Sequence, residues 1–287
     1  MVAAAETSRI NPTTANLARI DAWLDSLADA VDAATQSEEL TRYLQILARF
    51  WTYSARNCWL VALQMPEARR VASRKTWESL GRAIKRDQWR RGLEILCPHF
   101  RTEQDAETGD EQKVLVRFST GYVFDLSQTE GQPLAADLWQ ETAGDYTALY
   151  GALVAQVRRS GLIVEESADL PEGVHGYSTG AGRIVVRADD PLGNRCQTML
   201  HELAHERCHG IVARRTFGTA MLECQAEAIS YCCCRALGIP TPNFPSYLAL
   251  YKIDRAQLIG NLEAIRAGVA RIMGDLQQLL QAATAAA

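Results

Sequence analysis

The run His201-Glu202-Leu203-Ala204-His205 constrains this chain more than any other stretch. Two imidazoles four residues apart can converge only if the segment is helical, because positions i and i+4 then share a face. The run lies within an apolar helical pattern over 194–209, after a strand and a short loop. A second helix is predicted over 219–237, and it carries Glu223 and Glu227, also at i and i+4. An ion reached by His201 and His205 needs a third imidazole or anionic ligand from outside their helix, and Glu223 fits. Glu202 sits beside the imidazoles, where it can serve as catalytic base, taking a proton from water activated by Zn2+. Glu227 fits a hydrogen-bond acceptor for the outward nitrogen of a ligand histidine. Three ligands plus a base point to a catalytic site, because a structural zinc site is closed by four protein ligands. The plain alternatives are a chance pentapeptide and a solvated acidic helix face.

His209 extends the i+4 series. On a continuous helix it lies about 12 Å along the axis from His201, too far for one ion with bonds of about 2 Å. It is therefore read as a helix-terminal residue. Cys208 and Cys224 lie near enough to be tempting ligands, but a buried structural role is the better reading for each, as for Cys232–Cys234. No residue is clearly marked to stabilise an oxyanion. Tyr177 and Tyr231 are candidates for that role, and a structural tyrosine is the plainer reading of both.

The 287 residues allow one large domain or two ordinary ones, and 47% hydrophobic against 22% charged residues is the balance of a globular protein with a core. No run approaches the roughly 18 apolar residues of a membrane-spanning helix. The N-terminal MVAAAETSRINPTTANL lacks the basic and apolar regions of a secretion signal. The expectation is a cytoplasmic protein without membrane association, its eight cysteines reduced.

Apolar spacing predicts helices over 12–35 and from Ser37 to about Gln64, where Pro66 stops the second. A short helix follows at Thr76–Leu80, closed by Gly81. Strands are expected at Leu93–Cys97, Val114–Arg117 and Tyr122–Leu126, with the polar RTEQDAETGDEQK stretch as a loop or hairpin tip. Residues 127–143 are turn-rich and mark a boundary. Beyond them come a helix near Tyr146–Ser160, strands near Ile163–Glu165 and Arg183–Val186, the two helices already described, and a helix over 247–283. The apolar stripe of that last helix is Leu258, Leu262, Ile265, Val269, Ile272, Leu276 and Leu279.

Residues 66–101 hold ten basic residues, Arg69, Arg70, Arg74, Lys75, Arg82, Lys85, Arg86, Arg90, Arg91 and Arg101, against four acidic ones. Trp77, Trp89 and Phe100 are interleaved with them, and Tyr122 and Phe124 follow. Cations that track phosphates and aromatics that stack bases are what single-stranded nucleic acid needs. A solvated basic face over core aromatics is the alternative.

The two halves together resemble the ArdC-type antirestriction proteins of mobile elements. The resemblance rests on Tyr53–Asn57, Arg70–Ala72, Thr76–Arg82 and Val123–Thr129 with Gly131 and Pro133. In the second half it rests on Gly176-Tyr177, Ile184–Val186, His201–His205 and Glu223–Glu227 through Tyr231 and Ala236–Gly238. It covers roughly residues 40–245. The family's glycine- and lysine-rich turn is altered here to Lys85–Gly92, and the acidic segment Glu103–Glu111 lies outside the match. The resemblance implies an α+β protein with an N-terminal single-stranded-DNA-binding module, 1–135 with its core at about 37–135. A zincin-like metallopeptidase module related to ImmA/IrrE- and SprT-like proteases follows at 144–287, with a helical C-terminal cap. It implies DNA contacts among Arg56, Asn57, Arg70, Arg74, Lys75, Trp77, Arg82, Lys85, Arg86, Arg90 and Arg91.

The reading is thus a single-stranded-DNA-binding, HExxH, gluzincin-like zinc metallopeptidase with a DNA-protecting role and a protein or peptide substrate. Strand Ile184–Val186 is expected to pair with an extended substrate peptide. The alternatives are a non-proteolytic DNA-coating protein with a structural or vestigial metal site, a DNA–protein-crosslink protease and a regulator-cleaving protease.

Overall fold

The structure, a computed structural model, describes residues 11–28, 33–104, 111–134, 144–210, 218–241 and 255–286. It is α+β. Its contacts divide the chain into two compact units, Met1–Ser26 with Arg56–Pro133, and Leu27–Ala55 with Leu134–Ala287.

Three helices open the chain, α1 (Pro12–Ala28), α2 (Ala33–Arg49) and α3 (Ala55–Gln64). The one helix expected from Ser37 to Gln64 is therefore two, with a break at 50–54. There the Tyr53 N–H closes a turn on the Phe50 carbonyl at 2.8 Å, and the two rings meet edge to face. Trp51, Thr52, Tyr53 and Ser54 all lose side-chain freedom or compete for backbone bonds in a helix, so the break falls where propensity is lowest. The break changes the domain division. The sequence keeps α2 with the N-terminal module, whereas its buried Leu40, Leu44 and Leu47 belong to the second unit. The Leu44 carbonyl there accepts a bond from the Cys232 thiol at 3.4 Å.

In the first unit α3 is followed by β1 (Val71–Ala72), α4 (Arg74–Ser79), β2 (Arg82–Ile84), β3 (Leu93–Gln104), β4 (Glu111–Asp125) and β5 (Thr129–Gly131). The sheet order is β1-β4-β3, all antiparallel, and β2 pairs separately with β5. The strands expected at Val114–Arg117 and Tyr122–Leu126 are one continuous strand. Of the two readings of the polar stretch, loop or hairpin tip, the pairing agrees with the hairpin, Arg101 to Gln104 lying against Glu111 to Val114; its centre, 105–110, lies outside the described residues.

Two side-chain amides on one face of α3 clasp the backbone of β3. Asn57 gives and takes one bond with Leu96, at 2.9 and 2.8 Å, and Gln64 does the same with Glu94, at 2.9 and 2.8 Å. Trp77 on α4 is fully buried, its indole N–H donating to the Phe124 carbonyl at 2.8 Å. Asp125 closes the unit. Its carboxylate accepts the backbone N–H groups of Arg69, Arg70 and Ser127 at 2.8–3.0 Å, while its own N–H donates to the Gln128 side chain in a capping box.

The second unit adds α5 (Thr147–Arg159), β6 (Ile163–Ser167), β7 (Gly176–Ser178), β8 (Arg183–Arg187), α6 (Leu192–Cys208), α7 (Thr219–Ala236) and α8 (Arg255–Ala286). The sheet order is β6-β8-β7. β8 is the central strand, parallel to β6 and antiparallel to β7. Along α6 the buried residues Cys196, Met199, Leu200 and Leu203 recur at helical spacing. Arg195 anchors the start of that helix through the Tyr150 hydroxyl at 2.8 Å and an ion pair with Glu166. Helix α7 is buried almost all round from Cys224 to Cys234 and packs against α2, α6 and α8. The expected stripe of α8 is buried from Leu258 to Leu276. The helix begins at Arg255, and the earlier part of the expected span, 247–254, lies outside the described residues. No helix among the described residues is long and apolar enough to cross a membrane.

The Asp125 carboxyl gives this fold a testable pH dependence. Burial pushes its pKa up, but the bonds from Ser127, Arg70 and Arg69 outweigh burial and hold it below the ordinary 3.8. A depressed carboxylate stabilises the fold above its unfolded value, and that stability is lost as pH falls through the folded value. Asp125→Ala is expected to cost about 2–3 kcal/mol at neutral pH, by leaving backbone donors without a partner. In urea denaturation the gap between variant and wild type should narrow only below pH 3.8.

Candidate metal centre

Helix α6 presents His201 and His205 one turn apart, and Glu223, near the start of α7, reaches the same point. His201 Nε2 and His205 Nε2 are 3.1 Å apart, and Glu223 Oε2 lies 3.5 Å from the first and 3.3 Å from the second. Around a tetrahedral ion with bonds of about 2.0–2.1 Å, neighbouring donors are about 3.3–3.4 Å apart. The donor triangle therefore matches the coordination sphere of a single small divalent cation. Among the described residues this is the one cluster of metal-ligating groups. Its half-exposed carboxylate leaves one side of the site open to solvent.

Glu202 is buried beside this triangle, and the side chain and backbone of Ser178 on β7 both donate to its carboxylate. Burial raises its pKa above the usual carboxyl value. The charge of His201 and the bonds from Ser178 pull it down, Glu223 pushes it up, and the net direction is upward. One turn on, Glu206 accepts the N–H groups of Gly180 and Gly182 at 2.6 and 3.0 Å. Both glycines have positive φ, which lets two nearby N–H groups turn toward one carboxylate. Gly176 completes the fit: a Cβ there would stand 2.5 Å from the Thr198 methyl. One face of α6 thus carries donors, and the adjacent face, Glu202 and Glu206, grips the β7–β8 hairpin.

Strand β7 and Glu206 are absent from the reading of the sequence. The strand is three residues long and begins with glycine, so it carries no alternation to detect. The signal that marks Glu206 is its i+4 spacing from Glu202 together with the paired glycines. The hairpin also corrects the expected substrate strand. Both edges of Ile184–Val186 are occupied by β6 and β7, so β7 is the edge strand beside the metal helix. The Arg187 N–H donates to His175 and the Thr179 N–H to Arg183, so the odd-numbered residues of this strand face β8. Gly176 and Ser178 turn their main-chain groups to the open edge.

Neither tyrosine candidate stands at the donors. Tyr231 is buried, 3% exposed. Tyr177 is exposed on the strand face opposite Gly176 and Ser178, away from α6. Cys196, Cys224, Cys232, Cys233 and Cys234 are buried, Cys208 is half-buried, and among the described residues no thiol joins the donor cluster. Burial raises the thiols of Cys196, Cys208, Cys224, Cys233 and Cys234 above their ordinary value. Behind the donors, His209 Nδ1 lies 3.1 Å from His205 Nδ1.

The residues expected to contact DNA separate into two groups. Arg56, Arg70, Arg74, Lys75, Arg86, Arg90 and Arg91 are exposed. Arg74 lies 4.9 Å over the ring of Trp89, which is 57% exposed; Phe100 and Tyr122 are exposed as well. Asn57 and Trp77 are corrected. Both are buried and spend their polar groups on β3 and β4, so neither has a face for a base. Phe124 is buried too. Arg82 reaches Thr129 and the carbonyls of Gly131 and Gln132, and Lys85 reaches the Ser127 carbonyl at 2.8 Å, so both tie down the β2–β5 pair.

No family model and no curated protein matches the chain. Two solved structures are similar to it, both of the antirestriction ArdC protein from plasmid R388. The metal-free form has a TM-score of 0.47 and 19% identity, covering 80% of this chain and 84% of that chain. The Mn(II)-bound form has a TM-score of 0.46 and 17% identity, covering 82% of this chain and 97% of that chain.

The donor set has a direct test. Chain purified without chelator and loaded with zinc is expected to retain about one ion per molecule by elemental mass spectrometry. His205→Ala should lose that ion, whereas Glu206→Gln, which disturbs only the hairpin grip, should keep it.

Proposed function

We propose that this chain is a zinc-dependent, single-stranded-DNA-binding metallopeptidase that protects DNA in an antirestriction role. The observation that carries the catalytic half is the donor triangle of His201, His205 and Glu223 with a buried carboxylate, Glu202, beside it and an open side for substrate. The chemistry of two imidazoles and a carboxylate suits zinc, which when bound would act as a Lewis acid toward water and a peptide carbonyl. Glu202 would take the proton of the attacking water and pass it to the leaving amine. Ser178 holds Glu202 in place for this work. The open edge of β7 offers the main-chain groups of Gly176 and the Ser178 carbonyl to an extended peptide.

The DNA-binding half of the proposal rests on exposed cations interleaved with exposed aromatics: Arg74 on Trp89, Arg90 and Arg91 beside it in sequence, and Tyr122 on β4. The protecting role rests on the sequence resemblance to ArdC-type proteins. A second reading is DNA coating without proteolysis, with the metal as a structural element. It is favoured by this basic aromatic surface lying in the first unit, whereas every donor belongs to the second.

One pair of variants separates the readings. Glu202→Gln is expected to keep metal and DNA affinity while hydrolysis of a denatured protein substrate falls about 10²–10⁴-fold. Loss of DNA protection with it supports the peptidase reading, and intact protection selects coating. Trp89→Ala should weaken binding to an oligo-dT strand by about 1–3 kcal/mol in fluorescence anisotropy. Unchanged binding would remove Trp89 from the DNA surface.

A further inference from the structure

His209 ends α6, its N–H on the His205 carbonyl at 3.2 Å, and its ring is 2% exposed. Both ring nitrogens are engaged. Nδ1 lies 3.1 Å from His205 Nδ1, and Nε2 lies 3.1 Å from Gln225 Oε1 on α7. The amide of Gln225 continues to Asn261 Oδ1 on α8 at 2.5 Å, and Asn261 Nδ2 ends on the Gln257 carbonyl at 2.7 Å. Gln225 and Asn261 are themselves buried.

The last acceptor sets the direction of every bond before it. A backbone carbonyl only accepts, so Asn261 presents its NH2 to Gln257 and its oxygen to Gln225. Gln225 then donates to Asn261 and turns its own oxygen to His209. Facing an oxygen, His209 carries its proton on Nε2. The 3.1 Å contact between the two Nδ1 atoms needs one donor, and with Nε2 of His205 as the ligand atom that donor is His205, so His209 Nδ1 accepts. His205 must then donate from Nδ1, and its Nε2 is left with a bare lone pair aimed at His201 and Glu223.

We infer that His209 is a positioning residue that fixes the tautomer and ring orientation of His205, and that Gln225 and Asn261 lock His209 in that role. The inference rests on His201, His205 and Glu223 being the metal ligands. A ligand histidine is commonly held by a carboxylate or a carbonyl. A neutral imidazole here orients His205 without adding negative charge behind it. The third histidine of the i+4 series, too far along the helix from His201 to join it on an ion, thus acts through the second. The relay also ties the donor set to α8, distant in sequence, through side chains alone.

Two readouts test this on the whole chain. The first uses metal-free wild type labelled with 15N-histidine and long-range 15N–1H correlation spectra at neutral pH. His205 is expected as the Nδ1–H form and His209 as the neutral Nε2–H form. The opposite tautomer at either ring, or a cationic His209, overturns the inference whether or not the protein binds metal. The second is zinc affinity by competition with a chromophoric chelator, with folding checked by circular dichroism. His209→Leu is expected to weaken binding about 10–100-fold. His209→Asn, whose oxygen replaces Nδ1 as acceptor, should recover most of that loss. Wild-type affinity in His209→Leu, or no recovery in a folded His209→Asn, overturns it. Should the wild type bind no zinc, the ligand assignment fails, and the tautomer spectra still decide the role of His209.

Discussion

Three lone-pair donors, from two helices, are held within 3.5 Å of one another. A carboxylate and two imidazoles this close need a cation or a shared proton between them. The packing of α6 on α7 must hold them there. The helices are buried beside the donors, Leu203 and Ala204 on α6 and Cys224 and Ala226 on α7 being at most 2% exposed. Helix α7 is in turn buried on nearly every side by α2, α6 and α8, which gives it little freedom to withdraw Glu223. Much of the second unit reads as support for this one junction. α8 braces it through Asn261, α5 and β6 anchor the start of α6 through Tyr150, Glu166 and Arg195, and the β7–β8 hairpin is gripped by Glu202 and Glu206.

What could be read in the sequence follows from the range of the interaction that encodes it. The donor triangle was legible because two of its members share one helical turn, and a helix's period is a local rule. Glu223 was legible because its helix is long and periodic. The stripe of α8 was legible for the same reason. The edge strand β7 was not, since three residues starting at a glycine carry no period, and its place is set by contacts with Thr198 and Glu202 from another element. The role of His209 was half legible. Helix geometry correctly kept it apart from His201 on a shared ion, but its partners Gln225 and Asn261 come from two other helices, which no local pattern reveals.

The first unit teaches the complementary lesson about motifs. Several residues that mark the resemblance to ArdC-type proteins are architectural. Asn57 clasps β3, Trp77 caps the core under β4, and Asp125 gathers the backbone donors of Arg69, Arg70 and Ser127. A recurring tryptophan among arginines suggests a stacking platform from sequence alone, yet Trp77 is buried while Trp89, in the segment where the family's turn is altered, is the exposed ring. Burial separates the two, and burial is a property of the folded sheet.

Which atoms hold the ion is tested most directly by X-ray absorption at the zinc edge of the loaded chain. The expected first shell is nitrogen and oxygen alone at about 2.0–2.1 Å, with the outer scattering of two imidazoles. A sulfur shell at about 2.3 Å would show that a buried cysteine is a ligand and would contradict it. So would a first shell without imidazole.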